Sequence, residues 1–329
     1  MKRMRRKILA WILSMAVVLG LTACGGGEAA TETTSETERA ASVNNGTLKE
    51  DSTTISVGKT TVPYSEYKVY YYFMKNQYED VLSESVWSQN GGTERSIGQD
   101  AVEDVVRLII QVKIICKAAA LEGVTLAADE KEEADFNART YLEGLSDEVK
   151  QANSMNISLL AQIFEENKLA EKMYQVVTGK VDVNVPEQDS QAAKVQLIYL
   201  KTTAQNKEQV RQTAQQLCQQ AKTAETSFYS LAKANTQAEE IECYVGRMDS
   251  RTNLVNAVFG LKKNAVSDVI EESDGFYIAF MLQTPNEETN KVYKNQVVAE
   301  RQMNAFKDSY KKWSEQYDVK VSKSLLAKK

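Results

Sequence analysis

The sequence predicts an α+β fold, in which a helical domain is followed by a domain of alternating strands and helices and by one long helix. Three observations support this prediction. Apolar residues recur every three or four positions between residues 66 and 177, which is the helical period. From residue 194, short β-branched and apolar runs alternate with helical stretches. Residues 291–318 return to the helical period. The folded part, about 280 residues long, is large enough for two domains.

Residues 1–23 are typical of a lipoprotein export signal. Five basic residues between positions 2 and 7 precede the apolar run 8–20. This run is shorter than the roughly 20 residues of a membrane-spanning helix, which disfavours a transmembrane anchor. The sequence Leu-Thr-Ala-Cys-Gly at 21–25 resembles the bacterial lipobox. We therefore expect Cys24 to carry a two-chain lipid on the outer face of the bacterial cytoplasmic membrane, with an ordinary cleaved signal as the alternative.

Residues 24–51 are expected to form a disordered tether. They consist mainly of Gly, Thr, Ser, Glu and Ala and contain almost no large apolar side chains. Such a segment cannot bury enough apolar surface to offset the entropy that is lost on folding. A flexible tether of this kind would hold the folded domains clear of the membrane.

Charge and residue types exclude several classes of function. The chain has 40 basic and 45 acidic residues, and loss of residues 1–23, which hold five basic residues and no acidic one, changes the net charge from −5 to −10. An acidic surface disfavours nucleic acid as a partner. The chain has no histidine, and histidine is the commonest general base and metal ligand. We therefore expect neither a metal nor a cofactor.

The other cysteines, Cys116, Cys218 and Cys243, are odd in number and lack the close spacing of a metal site. Neither a zinc site nor a disulfide framework is indicated. Cys116 lies on the apolar face of a predicted helix, and Cys218 has similar surroundings, so both are expected to be buried small side chains.

Residues 52–185 are predicted to form the helical domain. It begins with an extended segment that turns at Gly58, and Ser65 is expected to cap the next helix. That helix carries a stripe of aromatic residues, which we interpret as a packing surface, with an aromatic binding face as the alternative. Helices are predicted at 66–82, 98–122, 129–144 (capped by Asp129) and 157–177, followed by a connecting segment at 181–190.

Residues 190–285 are predicted to form the mixed domain, and residues 288–329 a C-terminal helix that packs on the helical domain. The predicted strands of the mixed domain are 195–200, 241–245 and 275–282, and its predicted helices are 207–222, 227–234 and 253–261. The long helix is predicted at 291–318, with Trp313 near its end, and a short strand at 319–321.

This order of elements, together with several motifs, resembles the parvulin domain of PrsA- and SurA-like foldases, the PpiC group. The segment 194–201 aligns without gaps with the first strand of the family. The motifs that match are Val-Gly-Arg at 245–247, Phe259 and Leu261 in a short helix, Ala-Val-Ser-Asp-Val-Ile at 265–270 and Gly-Phe-Tyr-Ile-Ala at 275–279. The resemblance implies a helical chaperone domain, a parvulin-type domain with a four-stranded antiparallel sheet and surrounding helices, and a C-terminal helix that closes the fold.

The resemblance also implies where an active site should lie, and the sequence departs from the family there. Leu197 and Tyr277 occupy the positions of the two active-site histidines. Cys243 lies near the position of the family's polar partner, but we favour an ordinary strand thiol over a catalytic one. The residues implied to line a proline-binding pocket are Met248, Leu254, Phe259 and Tyr277.

The function implied is that of a membrane-anchored extracytoplasmic foldase or chaperone. Its partners would be unfolded or partly folded secreted polypeptides, bound by the helical domain and by the parvulin-like cleft. Loss of both histidines predicts little isomerase activity. An active peptidyl-prolyl cis-trans isomerase is the alternative, since Tyr277 could still donate a hydrogen bond. A solute-binding lipoprotein is disfavoured because it requires two doubly wound α/β lobes.

Overall fold

The computed structural model describes residues 49, 51–82, 87, 97–223 and 227–326. The predicted export signal, Cys24 and nearly all of the predicted tether lie outside these residues. The chain divides into two compact units: unit 1 contains the residues up to Lys180 together with Met303–Lys329, and unit 2 is Val181–Gln302. No helix in the described ranges has the length and apolar character needed to cross a membrane.

Both units contain helices and an antiparallel sheet, which confirms the predicted α+β class. In chain order the elements are β1 (Thr53–Val57), β2 (Thr60–Pro63), α1 (Tyr64–Leu82), α2 (Ile97–Leu121), α3 (Ala128–Glu143), α4 (Asp147–Ala152), α5 (Ile157–Thr178), α6 (Glu187–Ser190), β3 (Ala192–Lys201), α7 (Lys207–Thr223), α8 (Phe228–Asn235), β4 (Glu242–Gly246), α9 (Thr252–Gly260), β5 (Ile270–Glu271), β6 (Gly275–Gln283), α10 (Glu287–Ser314), β7 (Val319–Val321) and α11 (Lys323–Leu326).

The sheet of unit 1 joins the beginning and the end of the described chain. Its order is β2-β1-β7, and the fully buried Ile55 of β1 pairs with Val62 on one side and with Val321 on the other. Gly58 has φ +57°, a conformation that glycine adopts without steric cost, and it forms the predicted turn between β1 and β2. The predicted strand at 319–321 is also confirmed.

The helices of unit 1 enclose one aromatic core. Phe73 of α1, Tyr141 of α3 and Phe164 of α5 meet edge to face or tilted, with Phe73–Tyr141 centroids 5.1 Å apart. The aromatic-rich stripe of α1 is confirmed as a packing surface, because Tyr67, Tyr70, Phe73 and Met74 are buried. Trp313, near the end of α10, packs against Phe306 in the same core.

A charged cluster is enclosed in unit 1. Lys113 of α2 lies 2.7 Å from a carboxylate oxygen of Glu66 of α1 and 2.7 Å from one of Glu166 of α5. Lys113 and Glu66 are buried, whereas Glu166 is partly exposed. The three helices are thereby joined by one buried cation and two carboxylates.

Two predicted helix caps are wrong. α1 begins at Tyr64, so that Ser65 lies inside its first turn. α3 begins at Ala128, because the extended residue Ala127 precedes it and donates its backbone N–H to Glu130 Oε2 over 2.7 Å. Asp129 therefore lies within the helix and does not cap it. The carboxylate of Glu130, in the third helical position, accepts the backbone N–H of Ala127 at the start of this helix. Glu130 therefore has the capping role that was expected of Asp129.

Unit 2 is a four-stranded antiparallel sheet, in the order β4-β3-β6-β5, with helices on both faces. The central strands pair from Lys194 to Lys201 of β3 and along the whole of β6. Alternate side chains point to opposite faces. One face carries α7 and α8, packed on residues such as Ile198, Phe276 and Ile278. The other face carries α9 and contains all the residues that the sequence assigns to the site except the exposed Met248.

Two glycines of unit 2 are fixed by close approach. A Cβ at Gly275 would lie 2.2 Å from the carbonyl oxygen of Leu200 on the paired strand. A Cβ at Gly246 would lie 2.1 Å from the ring of Tyr293, which packs on it from the first half of α10. The division between the units falls within α10, after Gln302, so the first half of this helix belongs to unit 2 and the second half to unit 1.

Candidate functional site

Leu197 and Tyr277 lie on adjacent central strands and on the same face of the sheet of unit 2. The register of β3 and β6 pairs Leu197 with Ala279 and Tyr199 with Tyr277. Leu197 and Tyr277 are therefore diagonal neighbours, which in antiparallel sheets are typically about 7–8 Å apart. Both are buried, with 3% and 4% of their surface exposed. The two residues aligned with the family's histidines are thus brought together in one apolar cluster.

Tyr277 is held by a stacked tyrosine and an aspartate. Its ring lies against the ring of Tyr199, with centroids 4.7 Å apart and an interplanar angle of 23°. Its hydroxyl donates to Asp274 Oδ2 over 2.6 Å, and the hydroxyl of Tyr199 donates to the backbone oxygen of Asp274 over 3.1 Å. Burial and the hydrogen bond to Asp274 raise the pKa of Tyr277 well above its ordinary value. The phenol is therefore protonated at neutral pH, and its proton is used in the hydrogen bond to Asp274.

A paired arginine lies beside Tyr277. The guanidinium of Arg251 is 5.3 Å from the ring centroid of Tyr277. Arg251 Nε and Nη2 also donate to the two carboxylate oxygens of Asp249, over 2.9 and 2.5 Å. Burial opposes ionisation of Asp249, but these hydrogen bonds prevail and lower its pKa. Arg251 and Asp249 therefore both remain ionised. Their two hydrogen bonds form a bidentate ion pair in which the opposite charges balance.

A second arginine covers the apolar side of the site. The guanidinium carbon of Arg247 lies 3.7 Å from the ring centroid of Phe259, which is a stacking distance. Phe259 is partly exposed, and Met248, the next residue after Arg247, has 44% of its surface exposed. Met248 and Phe259 are therefore accessible to a ligand from solvent.

Leu254, which was predicted to line the proline-binding pocket, is not accessible to a ligand. It belongs to α9 and is fully buried on the side of that helix that packs on the sheet, in the same cluster as Leu197 and Tyr277. Its backbone N–H donates to Glu272 Oε1 over 2.9 Å. A ligand could touch this side chain only after α9 or its neighbours moved.

Cys243 lies on the edge strand β4, opposite Val195. Burial raises the pKa of its thiol to about 11. The neighbouring Arg251 favours the thiolate, but its effect is smaller than that of burial. A thiol in this condition is protonated at neutral pH and is a poor nucleophile.

The described part of unit 2 also contains a cavity of about 490 Å³ on the outer side of α9. Its walls are formed by the side of α9 that faces away from the sheet and by the segment leading into β5. Of the predicted site residues, none lines it. Within the described ranges, no group of three or more His, Cys, Asp or Glu residues could hold a metal ion.

Sequence reasoning missed the polar members of the site. Tyr199, Asp274, Arg251 and Asp249 were not among the predicted site residues, and they come from three separate segments. One signal was available: Tyr199 follows Leu197 by two positions, so the strand period places both on the same face. The contacts of Arg251 depend on how the segment between β4 and α9 folds back over β6, which no local pattern reveals.

Comparison with known proteins identifies the domain. The family model for the rotamase, or PPIC-type PPIase, domain matches residues 196–282, about a quarter of the chain. None of the curated proteins compared with the chain matches it.

Several solved structures are similar to the chain at low identity. A PpiC-type peptidyl-prolyl cis-trans isomerase domain is 19% identical, covers 30% of this chain and 98% of its own, and has a TM-score of 0.28. The peptidylprolyl isomerase PrsA from Bacillus anthracis is 18% identical, covers 63% and 93%, and has a TM-score of 0.36. A chain from a structure of two SurA-like chaperones of Campylobacter jejuni, PEB4 and Cj1289, is 13% identical, covers 82% and 98%, and has a TM-score of 0.30.

The family match coincides with the strands and helices that bring Leu197 and Tyr277 together, from β3 to the end of β6. Residues 196–282 of this chain form a PPIC-type PPIase domain.

Proposed function

We propose that the protein is a membrane-anchored extracytoplasmic foldase or chaperone. In this proposal it binds unfolded or partly folded exported polypeptides through its helical domain and through the cleft of its PPIC-type domain, and it has little isomerase activity. Anchoring through Cys24 rests on the charged, apolar and lipobox-like sequence of residues 1–25.

The observation that carries the proposal is the apolar pair Leu197 and Tyr277 at the two histidine-aligned positions. Rotation about an X-Pro bond has a barrier of roughly 18–20 kcal/mol, since amide resonance is lost in the twisted state. An isomerase must bind that state better than either planar state. Leu197 offers no hydrogen bond, and the hydroxyl of Tyr277 is occupied by Asp274. A site of this kind could bind a chain at the exposed Met248 and the partly exposed Phe259 without lowering the barrier.

Exposed apolar side chains support the binding role. In unit 2, Met248 and the partly exposed Phe259 lie on the same side as the site. In unit 1, Leu121, Phe136 and Ile157 are large apolar residues with substantial exposure. Such side chains are the groups that would contact apolar segments of an unfolded chain.

An active isomerase is the second candidate, and one observation favours it. Arg251 presents N–H donors beside the ring of Tyr277, so the site is not without polar groups. If Arg251 exchanged Asp249 for a substrate carbonyl or prolyl nitrogen, it could stabilise the twisted amide. The bidentate contact with Asp249 opposes this exchange.

An aggregation assay tests the binding role. The full chain in detergent is added to a reduced, unfolding secretory protein, and light scattering is followed. We expect suppression of aggregation, weakened by Met248→Ser and much less affected by Tyr229→Ser. Tyr229 is a matched control, since it is 46% exposed against 44% for Met248 and lies on α8, at the opposite face of the sheet. No suppression by the wild-type chain, or equal loss in both variants, would contradict the proposed binding cleft.

A further inference from the structure

The segment between β4 and α9 places two arginines over two aromatic rings of the site. Arg247 lies over Phe259, and Arg251 lies beside Tyr277. Both guanidinium groups therefore border the apolar cluster on the same face of the sheet.

The two arginines differ in one respect. Arg251 is neutralised within the protein by the bidentate contact with Asp249. Arg247 makes no ion pair with any residue in the described part of the chain. Its guanidinium instead stacks on the ring of Phe259. It is exposed to solvent. A stacked guanidinium keeps its N–H edge free in a fixed plane, which suits recognition of a carboxylate.

We infer that Arg247 makes the site selective for client segments that carry a carboxylate beside an apolar residue. This inference rests on the proposed binding function and names the kind of segment bound. The apolar side chain would contact Phe259 and Met248, while the neighbouring Asp or Glu side chain would accept hydrogen bonds from Arg247. Stacking on Phe259 restricts the guanidinium before binding, so less side-chain entropy is lost when the carboxylate arrives.

Charge along β4 favours a single carboxylate over a polyanion. Glu239 and Glu240 are exposed just before β4, Glu242 at its start is paired with Lys194, and the whole chain is acidic. A nucleic acid, with one charge at every phosphate, would meet these carboxylates as well as Arg247. A peptide brings one negative charge to one position.

Two peptides that differ in one side chain test the inference. They are acetyl-Ala-Glu-Leu-Pro-Phe-amide and the same peptide with Gln in place of Glu, each carrying a fluorophore and titrated with the full chain in detergent. At low salt we expect the Glu peptide to bind about fivefold more tightly, and the difference to shrink at high salt. Arg247→Gln should remove the difference. Lys233→Gln, which removes an exposed positive charge on α8, should preserve it.

The outcomes separate this inference from the function on which it rests. If both peptides bind the wild-type chain equally well, the selectivity is refuted and the binding function stands. If neither binds, the proposed function itself fails, and the inference fails with it. If the Glu peptide is preferred to the same degree in Arg247→Gln, another cation is responsible and the assignment to Arg247 is wrong. A preference that Arg247→Gln abolishes and Lys233→Gln keeps supports it.

Discussion

Leu197 and Tyr277 are diagonal neighbours on the same face of the central strand pair β3 and β6. Each is buried in the apolar cluster that α9 covers. Within a PPIC-type domain, this places an aliphatic side chain and an already hydrogen-bonded phenol at the positions aligned with the family's two histidines. The surroundings are those of a packed core. The polar contacts lie at its edge, where Tyr277 bonds Asp274 and Arg251 bonds Asp249.

The hydrogen bond between Tyr277 and Asp274 should stabilise the beginning of β6. Tyr277→Phe keeps the stack on Tyr199 but leaves the carboxylate without its phenol donor, and we expect a loss of about 2 kcal/mol in unfolding free energy. Hydrogen exchange of peptides covering residues 275–283 measures this loss. Tyr199→Phe is the control, because its hydroxyl bonds only a backbone oxygen at 3.1 Å and should cost less. The reverse order of the two variants would show that Asp274 is not the main partner of Tyr277.

Gly275 is required by the close approach of β3. A Cβ would lie 2.2 Å from the backbone oxygen of Leu200, which cannot yield without loss of strand pairing, so Gly275→Ala should cost about 3 kcal/mol. At Gly260, the last residue of α9, a Cβ would meet nothing within 4 Å. Gly260→Ala should therefore be neutral or slightly stabilising. Urea unfolding of both variants checks the contrast, and a similar cost at the two positions would contradict it.

The fold could be predicted where local patterns are long. β3 and β6 are runs of β-branched and apolar residues, and α5 shows the helical period over its whole length, so their existence followed from sequence. β5 could not be predicted, because two residues show no period and become a strand only through pairing with β6. α4 was missed for a related reason: it is short, has no buried residue and therefore shows no apolar stripe.

Removing one partner from the charged cluster of unit 1 should lower the unfolding free energy strongly, whereas replacing a charged pair of the cluster by apolar residues should lower it little. Lys113→Met leaves the buried carboxylate of Glu66 without its cation, and we expect a loss of about 3–5 kcal/mol in unfolding free energy. The double variant Lys113→Met with Glu66→Leu should recover most of that loss. Lys150→Met is the control, since its contact with Asp147 is exposed and should be worth less than about 1 kcal/mol.

The pH dependence of this cluster has a definite sign. Burial raises the pKa of Glu66 above its ordinary value, although Lys113 acts in the opposite direction. A carboxyl whose folded pKa lies above its unfolded pKa contributes stability below the unfolded value of 4.5 and loses it as pH rises through the folded pKa. The cost of Lys113→Met should therefore be smaller at pH 5 than at pH 8, because Glu66 can be protonated at the lower pH. Urea unfolding at both values measures this, and a larger cost at pH 5 would contradict the assignment.

Cys243 should behave as an unreactive strand thiol. With its pKa raised to about 11 from 9.0 by burial, its thiolate fraction at pH 7.5 should be about 100-fold below that of an ordinary thiol. Alkylation by iodoacetamide, followed by mass spectrometry of the peptide that contains Cys243, should be correspondingly slow and should accelerate up to about pH 11. Fast alkylation at pH 7 would instead indicate an activated thiol and would reopen a catalytic role.

The candidate site could be predicted only in part. The resemblance, through the alignment on Gly275 and on the run beginning at Lys194, correctly gave Leu197 and Tyr277 as neighbours, because it puts both at the family's histidine positions. It could not show that Leu254 is fully buried, since the helical period distinguishes an inner face from an outer one but does not reveal what covers it. The stacking of Arg247 on Phe259 joins residues from a loop and a helix, and only the tertiary fold brings them together.

The most direct test of the central claim, that the domain binds chains and has little isomerase activity, is a protease-coupled assay on a proline tetrapeptide with the full chain in detergent. We predict little increase over the spontaneous cis-trans rate, from protein that suppresses client aggregation in the same buffer. Clear turnover that Tyr277→Phe or Arg251→Leu abolishes, with folding retained, would contradict the account and establish an isomerase that works without histidine.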